Sequence, residues 1–257
     1  MLFRSTTYAD ADGNIAHFHG NFFPIRDQKF DWKNPVDGTT SATDWKGMHK
    51  LEDQVFLLNP STGWIENCNS SPFYSAGESS PKKENYPSYM APDEENFRSL
   101  NARRLLDSAK KISLEGLTKI GYDRTLSAFE ILIPALVKAY DKAKEGNAEK
   151  YIDLETPIDI LREWDYKVAE NSIATTLAVE WAERVSGKID RYHEGQIANT
   201  IRFASEATPE EMLNPLLQTI NQLTKRFSRW NLEWGEINGY QRVNDNTREE
   251  YSDSKPA

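Results

Sequence analysis

Cysteine occurs once in the 257 residues, at Cys68, so no internal disulfide can form and the redox compartment stays open. Nowhere does an apolar run approach the ~18 residues that a membrane-spanning helix needs, which predicts no membrane partner. Positive charge is short: 31 Lys and Arg against 40 Asp and Glu leave a formal net charge of −9. Neutralising a phosphate backbone takes clustered Lys and Arg, so this balance argues against nucleic acid, and against anionic lipid, as a partner. Met1–Tyr8 has no basic stretch leading into an apolar core, which predicts no signal peptide in this chain. Phosphate-binding glycine loops, CxxC pairs, HExxH and GxSxG are absent as well.

Aromatic mass is what the chain has. Seven Trp, eleven Tyr and eleven Phe are too many for a disordered polypeptide. Against a mean hydropathy of −0.71, they imply a polar surface around an aromatic core, or a piece of a larger assembly. Residues 1–95 read as strand and loop. Thr6–Asp10 and Asn14–His19 are short runs joined by Ala11-Asp12-Gly13, and Asp-Gly between such runs signals a hairpin because it accepts positive φ. Turn-rich sequence follows at Asn34–Gly38, Asn59-Pro60 and Thr62-Gly63, and Trp64–Asn69 is the next predicted strand. Residues 73–95 are poor in aliphatic side chains. They predict a long ordered surface loop or lid, packed through Phe73, Tyr74, Tyr86 and Tyr89.

Residues 96–230 read as helical. Leu126, Phe129, Ile133, Leu136, Val137 and Tyr140 form one apolar stripe, with a kink expected at Pro134. Ile173, Leu177, Trp181 and Val185 form a second stripe; Met212, Leu213, Leu216, Leu217, Ile220 and Leu223 form a third. Thr156-Pro157 and Thr208-Pro209-Glu210-Glu211 read as helix starts, the second with a capping box. Residues 231–257 read as a truncated return toward the sheet, polar from Asn244 on. Strands followed by helices make an α+β chain rather than a βαβα one.

Local chemistry offers few candidates. On a strand ending at Asn69, the Asn69 amide N–H₂ could donate to a developing oxyanion, a contribution of roughly 3–4 kcal/mol in acyl transfer. The plainer alternative is a turn in which Asn side chains bond their own backbone. Cys68 reads as a nucleophile or as a small buried hydrophobe. His17 and His19 share a strand face, with His49 near in sequence: two metal ligands, or histidines that simply hydrogen-bond. Arg98 stands near a helix start, where a cation opposes the helix dipole, so a carboxylate or carbonyl partner is expected. Arg103 and Arg104 read as a solvated helix face. Acid pairs drawn from Asp159, Asp165, Glu233 and Glu236 fit glycoside hydrolysis only as chance among many carboxylates.

Several segments, in order, resemble the penicillin acylase family of N-terminal-nucleophile (Ntn) amidohydrolases. Tyr8-Ala9-Asp10-Ala11-Asp12-Gly13-Asn14-Ile15-Ala16 is similar to the family's hairpin, with His19 close behind. Pro24-Ile25-Arg26-Asp27, Pro35-Val36-Asp37-Gly38 and Asp44-Trp45-Lys46-Gly47 resemble its next turns. Asn59–Asn69 resembles its "NPxxGwixNxN" segment, and Arg98 with Arg104-Leu105-Leu106 its "RxxxixxLL". Leu161-Arg162-Glu163-Trp164-Asp165 with Ser172, and Trp234-Gly235-Glu236-Ile237-Asn238, resemble its later motifs.

The resemblance implies part of an αββα sandwich and an acylase for a linear amide between an acyl group and an amine, β-lactam nucleus or homoserine lactone. It places the oxyanion donor on Asn69 and active-site organisation on Arg98. The family's nucleophile opens a large subunit far upstream of the Tyr8 hairpin, which predicts no nucleophile in this chain. The expected partners are a small-molecule acyl-amide substrate, a small subunit and the remainder of the large subunit; the isolated chain is expected to be inactive. The family's calcium site is expected to be incomplete, with Met90 where an acid would stand; no cofactor and no metal ligand are assigned. A periplasmic or secreted location goes with the full-length family. The alternative from another class is a non-catalytic scaffold that keeps the fold.

Overall fold

In the computed structural model of the chain, which describes residues 5–20 and 22–239 apart from the side chains at 147 and 148, Asp10 closes the first hairpin. Its Oδ1 accepts the backbone N–H of Asp12 and of Asn14 (3.1 and 2.8 Å), and its Oδ2 accepts Asn14 Nδ2 and Tyr8 OH. These bonds, the Asn14 side chain foremost, hold the carboxyl below its ordinary pKa. Gly13 takes φ +87° in the turn, as the Asp-Gly signal requires. The strands Ser5–Ala9 (β1) and Ile15–His19 (β2) then pair antiparallel, with Thr7 opposite His17. Phe56–Leu58 (β3) joins the other side of β2, with Ala16 opposite Leu58. Alternation along β2 puts the buried His17 and His19 on one face; on the other, Phe18 stacks on Phe56.

The chain divides into two compact units, Met1–Tyr122 and Asp123–Ala257. The sheet belongs to the first unit, together with Phe97–Ser108 (α1) and Leu114–Gly121 (α2). Residues 73–95 form an ordered, packed loop. They wind through short 3₁₀ turns at Pro72–Tyr74, Gly77–Ser79 and Lys83–Asn85, and they bury Ser75, Ala76, Tyr89, Met90 and Ala91. Met90 and Ala91 join Val55 in a small apolar cluster, with Phe23, Phe73 and Tyr86 against it. The predicted strand at Trp64–Asn69 does not form: this stretch has no ladder partner among the described residues and ends with Asn69 at φ +56°.

The second unit is helical: Phe129–Asn147 (α3), Glu155–Arg162 (α4), Ile173–Asp190 (α5), Gln196–Glu206 (α6), Pro209–Phe227 (α7) and the single turn Trp234–Ile237 (α8). All three predicted stripes face its core, where Leu136, Leu177, Trp181, Val185, Leu213 and Leu216 have no exposed surface. Trp181 Nε1 donates to Met212 O at 2.9 Å, satisfying the one polar atom of a buried indole. α3 continues through Pro134. The Thr208–Glu211 capping box is present at α7, whereas α4 begins at Glu155, ahead of the expected Thr156 cap. There the preceding 3₁₀ segment Ala148–Leu154 runs straight into the helix, so no capping side chain is called on. Two of the family-like segments meet: Trp234 N–H donates to Ser172 O, and Gly235 N–H to Glu170 O at 2.7 Å. A Cβ on Gly235 would stand 2.5 Å from Glu170 Cγ. Residues 240–257, and with them most of the expected return segment, lie outside the described residues.

The described architecture is therefore α+β: a three-stranded antiparallel sheet and a mainly helical remainder. No described helix is long and apolar enough to cross a membrane.

Candidate functional site

The segment that carries Asn69 is fastened at both ends. Asn59, at φ +47°, exchanges backbone and side-chain bonds with the start of β2: its N–H donates to Ile15 O, its Oδ1 accepts Ile15 N–H, and its Nδ2 donates to Asn14 Oδ1 at 2.8 Å. Thr62 Oγ1 donates to Ala76 O, and Glu66 N–H to Ser75 O at 2.8 Å. The chain then turns at Asn67-Cys68-Asn69. Asn67 Oδ1 accepts the Asn69 backbone N–H at 3.1 Å, the local bond by which Asn builds turns. Asn67 thus takes the turn-forming role that the sequence left open for either residue, and the side chain of Asn69 is released from it.

The partner of that side chain is Arg98, the second residue of α1. Its Nη1 and Nη2 donate to Asn69 Oδ1 at 3.4 and 3.3 Å. This is the carbonyl partner expected for a cation at a helix start. The contact also fixes the amide. A guanidinium has donors only, so the amide atom facing it must be the oxygen. Nδ2 is then turned away from Arg98, and among the described residues nothing accepts from it. Both residues are exposed. The site is an amide N–H₂ presented at a surface turn, with a cation holding the opposite end of the amide dipole. Such a group can donate to an anionic oxygen without reorganising.

Beneath the turn lies a buried carboxylate. Glu66 is 6% exposed; its Oε1 accepts Ser99 Oγ at 2.7 Å and Ser70 Oγ at 3.4 Å. Cys68 is next to it. Burial, then the hydrogen bond and charge of Glu66, push the thiol up to about 11, so Cys68 is no thiolate nucleophile at neutral pH. Arg103 is not solvated as its sequence neighbourhood suggests: it stands 3.1 Å from Glu95 and over the Tyr74 ring. Burial raises the Glu95 carboxyl, and Arg103 partly opposes that.

The other candidates resolve into structural roles. His17 and His19 stack at 6.4 Å between ring centroids, while His49 Nε2 bonds Tyr89 OH at 2.9 Å. Among the described residues no three His, Cys, Asp or Glu side chains are grouped as a metal site needs. Asp165 accepts the Lys167 N–H, Asp159 stands 3.9 Å from Arg162, and Glu236 accepts the Glu233 backbone N–H and pairs with Arg229. A hollow of about 440 Å³ lies over the sheet, lined by Thr6, Phe18, Phe22, His49 and Leu51 among others; Asn69 and Arg98 are not part of it. Sequence reading missed Glu66 and Asn96, which tie the turn to α1. Asn96 carried a signal, as a helix-capping residue type just before Phe97; Glu66 carried none.

Comparison with known proteins adds three findings. Residues 2–251 match the family described as Penicillin amidase. A stretch of 65 residues, 25% of this chain and 8% of the relative, is 42% identical to the penicillin G acylase of Escherichia coli. The fold is similar to that of a thermostable penicillin G acylase from Alcaligenes faecalis, with a TM-score of 0.59 and 15% identity over 89% of this chain and 48% of that one. The chain thus spans about half the length of that solved relative.

Proposed function

The chain belongs to the penicillin amidase family, and from that premise we propose that it is the part of an acylase-type amidohydrolase that supplies the oxyanion donor. The substrate class is a linear amide between an acyl group and an amine, β-lactam nucleus or homoserine lactone. The nucleophile is a Ser, Thr or Cys at a chain terminus created by cleavage, in polypeptide outside these residues, and its own α-amino group serves as base. Attack on the amide carbon moves the hydroxyl or thiol proton to that amino group. The carbonyl oxygen gains the charge, and Asn69 Nδ2 donates to it. Collapse expels the amine with a proton and leaves an acyl-enzyme, which water then cleaves. Arg98 keeps the Asn69 amide in its donating orientation.

The observation that carries this reading is the two-pronged contact of Arg98 on Asn69 Oδ1, which leaves Nδ2 without an acceptor among the described residues at an exposed turn. The proposal also assigns the described sheet and helices to an αββα sandwich completed by a small subunit and the rest of the large subunit. The test is hydrolysis of a chromogenic acyl anilide. The expected result is no turnover by this chain alone, and turnover once it is joined to the remaining segments of a family enzyme. Turnover by the chain alone would refute the assignment of the nucleophile. A folded, joined enzyme inactive toward a panel of acyl anilides would instead favour the scaffold reading.

A further inference from the structure

Asn96, the residue before α1, uses both ends of one amide. Its Oδ1 accepts the backbone N–H groups of Arg98 and Ser99, each at 3.0 Å, and so caps the helix. Its Nδ2 donates to Cys68 O at 3.0 Å and, at 3.4 Å, to Asn69 O. Capping alone does not call for an amide, because Asp and Ser cap as well. The second end is what only an amide of this length supplies here: a donor that reaches the main chain of the turn. Glu66 makes a parallel tie, from the same turn to Ser99 on the first turn of the same helix.

The consequence falls on Asn69. Asn69 stands at φ +56°, a left-handed conformation that asparagine tolerates better than most residues, and the contacts around it decide how firmly that conformation is held. Here Asn67 holds its N–H and Asn96 bears on its C=O. Arg98 sits two residues beyond Asn96, so the helix turn that Asn96 caps is the one that brings the guanidinium to Asn69 Oδ1. We propose that Asn96 is a positioning residue: it locks the Asn69 turn to the start of α1 so that Arg98 meets Oδ1 and Nδ2 faces the reacting carbonyl. This rests on the reading of Asn69 as oxyanion donor.

Asn96→Asp and Asn96→Ser each keep a capping oxygen and lose the donor to the turn, whereas Asn96→Ala loses both. In the joined enzyme, the first two variants are expected to lower kcat about ten- to a hundredfold with KM little changed. Their melting temperature should stay near the parent's, and Asn96→Ala should lower kcat and melting temperature together. In this chain alone, the Asn69 side-chain amide ¹⁵N resonances should shift in Asn96→Asp and in Asn96→Ser. Unchanged kcat and unchanged Asn69 resonances in those variants would overturn the proposal. So would a loss of kcat no larger than the loss of folded protein explains. Should Asn69→Ala leave kcat intact, the donor reading fails on its own, and the resonance shift still decides whether Asn96 governs the Asn69 side chain.

Discussion

His17 makes the stability of the first unit depend on pH in a way that can be worked from the structure. The residue is 2% exposed, and among the described residues neither ring nitrogen has a hydrogen-bond partner. Burial, with His19 alongside, lowers its pKa from 6.5 to about 4. An unfolded chain takes up the proton as pH falls through 6.5, whereas the folded chain resists until about 4. The unfolded state therefore binds more protons in that window, and stability is lost as pH falls through it. The gap is worth roughly 3 kcal/mol when fully developed, and about 2 kcal/mol between pH 7.5 and 5. His17→Leu removes the titrating group, and with it a buried polar ring that none of the described residues satisfies; at pH 7.5 the change should be near neutral or stabilising. The assay is urea unfolding at pH 7.5 and 5.0, followed through the amide resonances of β1–β3. Exposed carboxylates titrate equally in both proteins, so the difference between the two pH dependences isolates His17. The parent should lose about 2 kcal/mol more than the variant over that range. Equal losses, or a His17 ring that titrates near 6.5 in the folded protein, would refute the reasoning.

Two further outcomes follow from burial and charge. Leu177→Ala, at a side chain with no exposed surface between α5 and its neighbours, should destabilise the second unit by about 2–5 kcal/mol in urea unfolding; a loss well below 1 kcal/mol would mean that this core is not packed as described. Cys68, pushed up to about 11, should react with iodoacetamide at pH 7.5 about two orders of magnitude more slowly than a free cysteine. Alkylation as fast as the free amino acid would reopen the thiol as a nucleophile.

How much of this could be read from the chain depended on whether local signals and long-range contacts agreed. The Asp10–Asn14 hairpin and the Thr208 capping box are closed by residues within four positions of one another, so sequence suffices for them. The three apolar stripes follow helical periodicity, and the helices bury those stripes. Trp64–Asn69 failed as a strand because its backbone bonds go to a distant turn, at Ser75, and to the Asn67 side chain. Residues 73–95 looked like surface from composition, yet Met90 and Ala91 are core because Val55 lies against them. At the site, Asn67 and Asn69 are alike by residue type, and nothing local says which one builds the turn. The resemblance to a family chose Asn69. The contact that supports the choice comes from Arg98, 29 residues on, at a distance no local pattern reaches.

If the Asn69 amide donates to a developing oxyanion as proposed, steady-state kinetics of Asn69→Ala in the joined enzyme will register its loss. Removing one such donor is expected to lower kcat by about 10²–10³-fold, or roughly 3–4 kcal/mol, with KM and melting temperature close to the parent's. A variant that retains the parent's kcat would rule out Asn69 as the oxyanion donor.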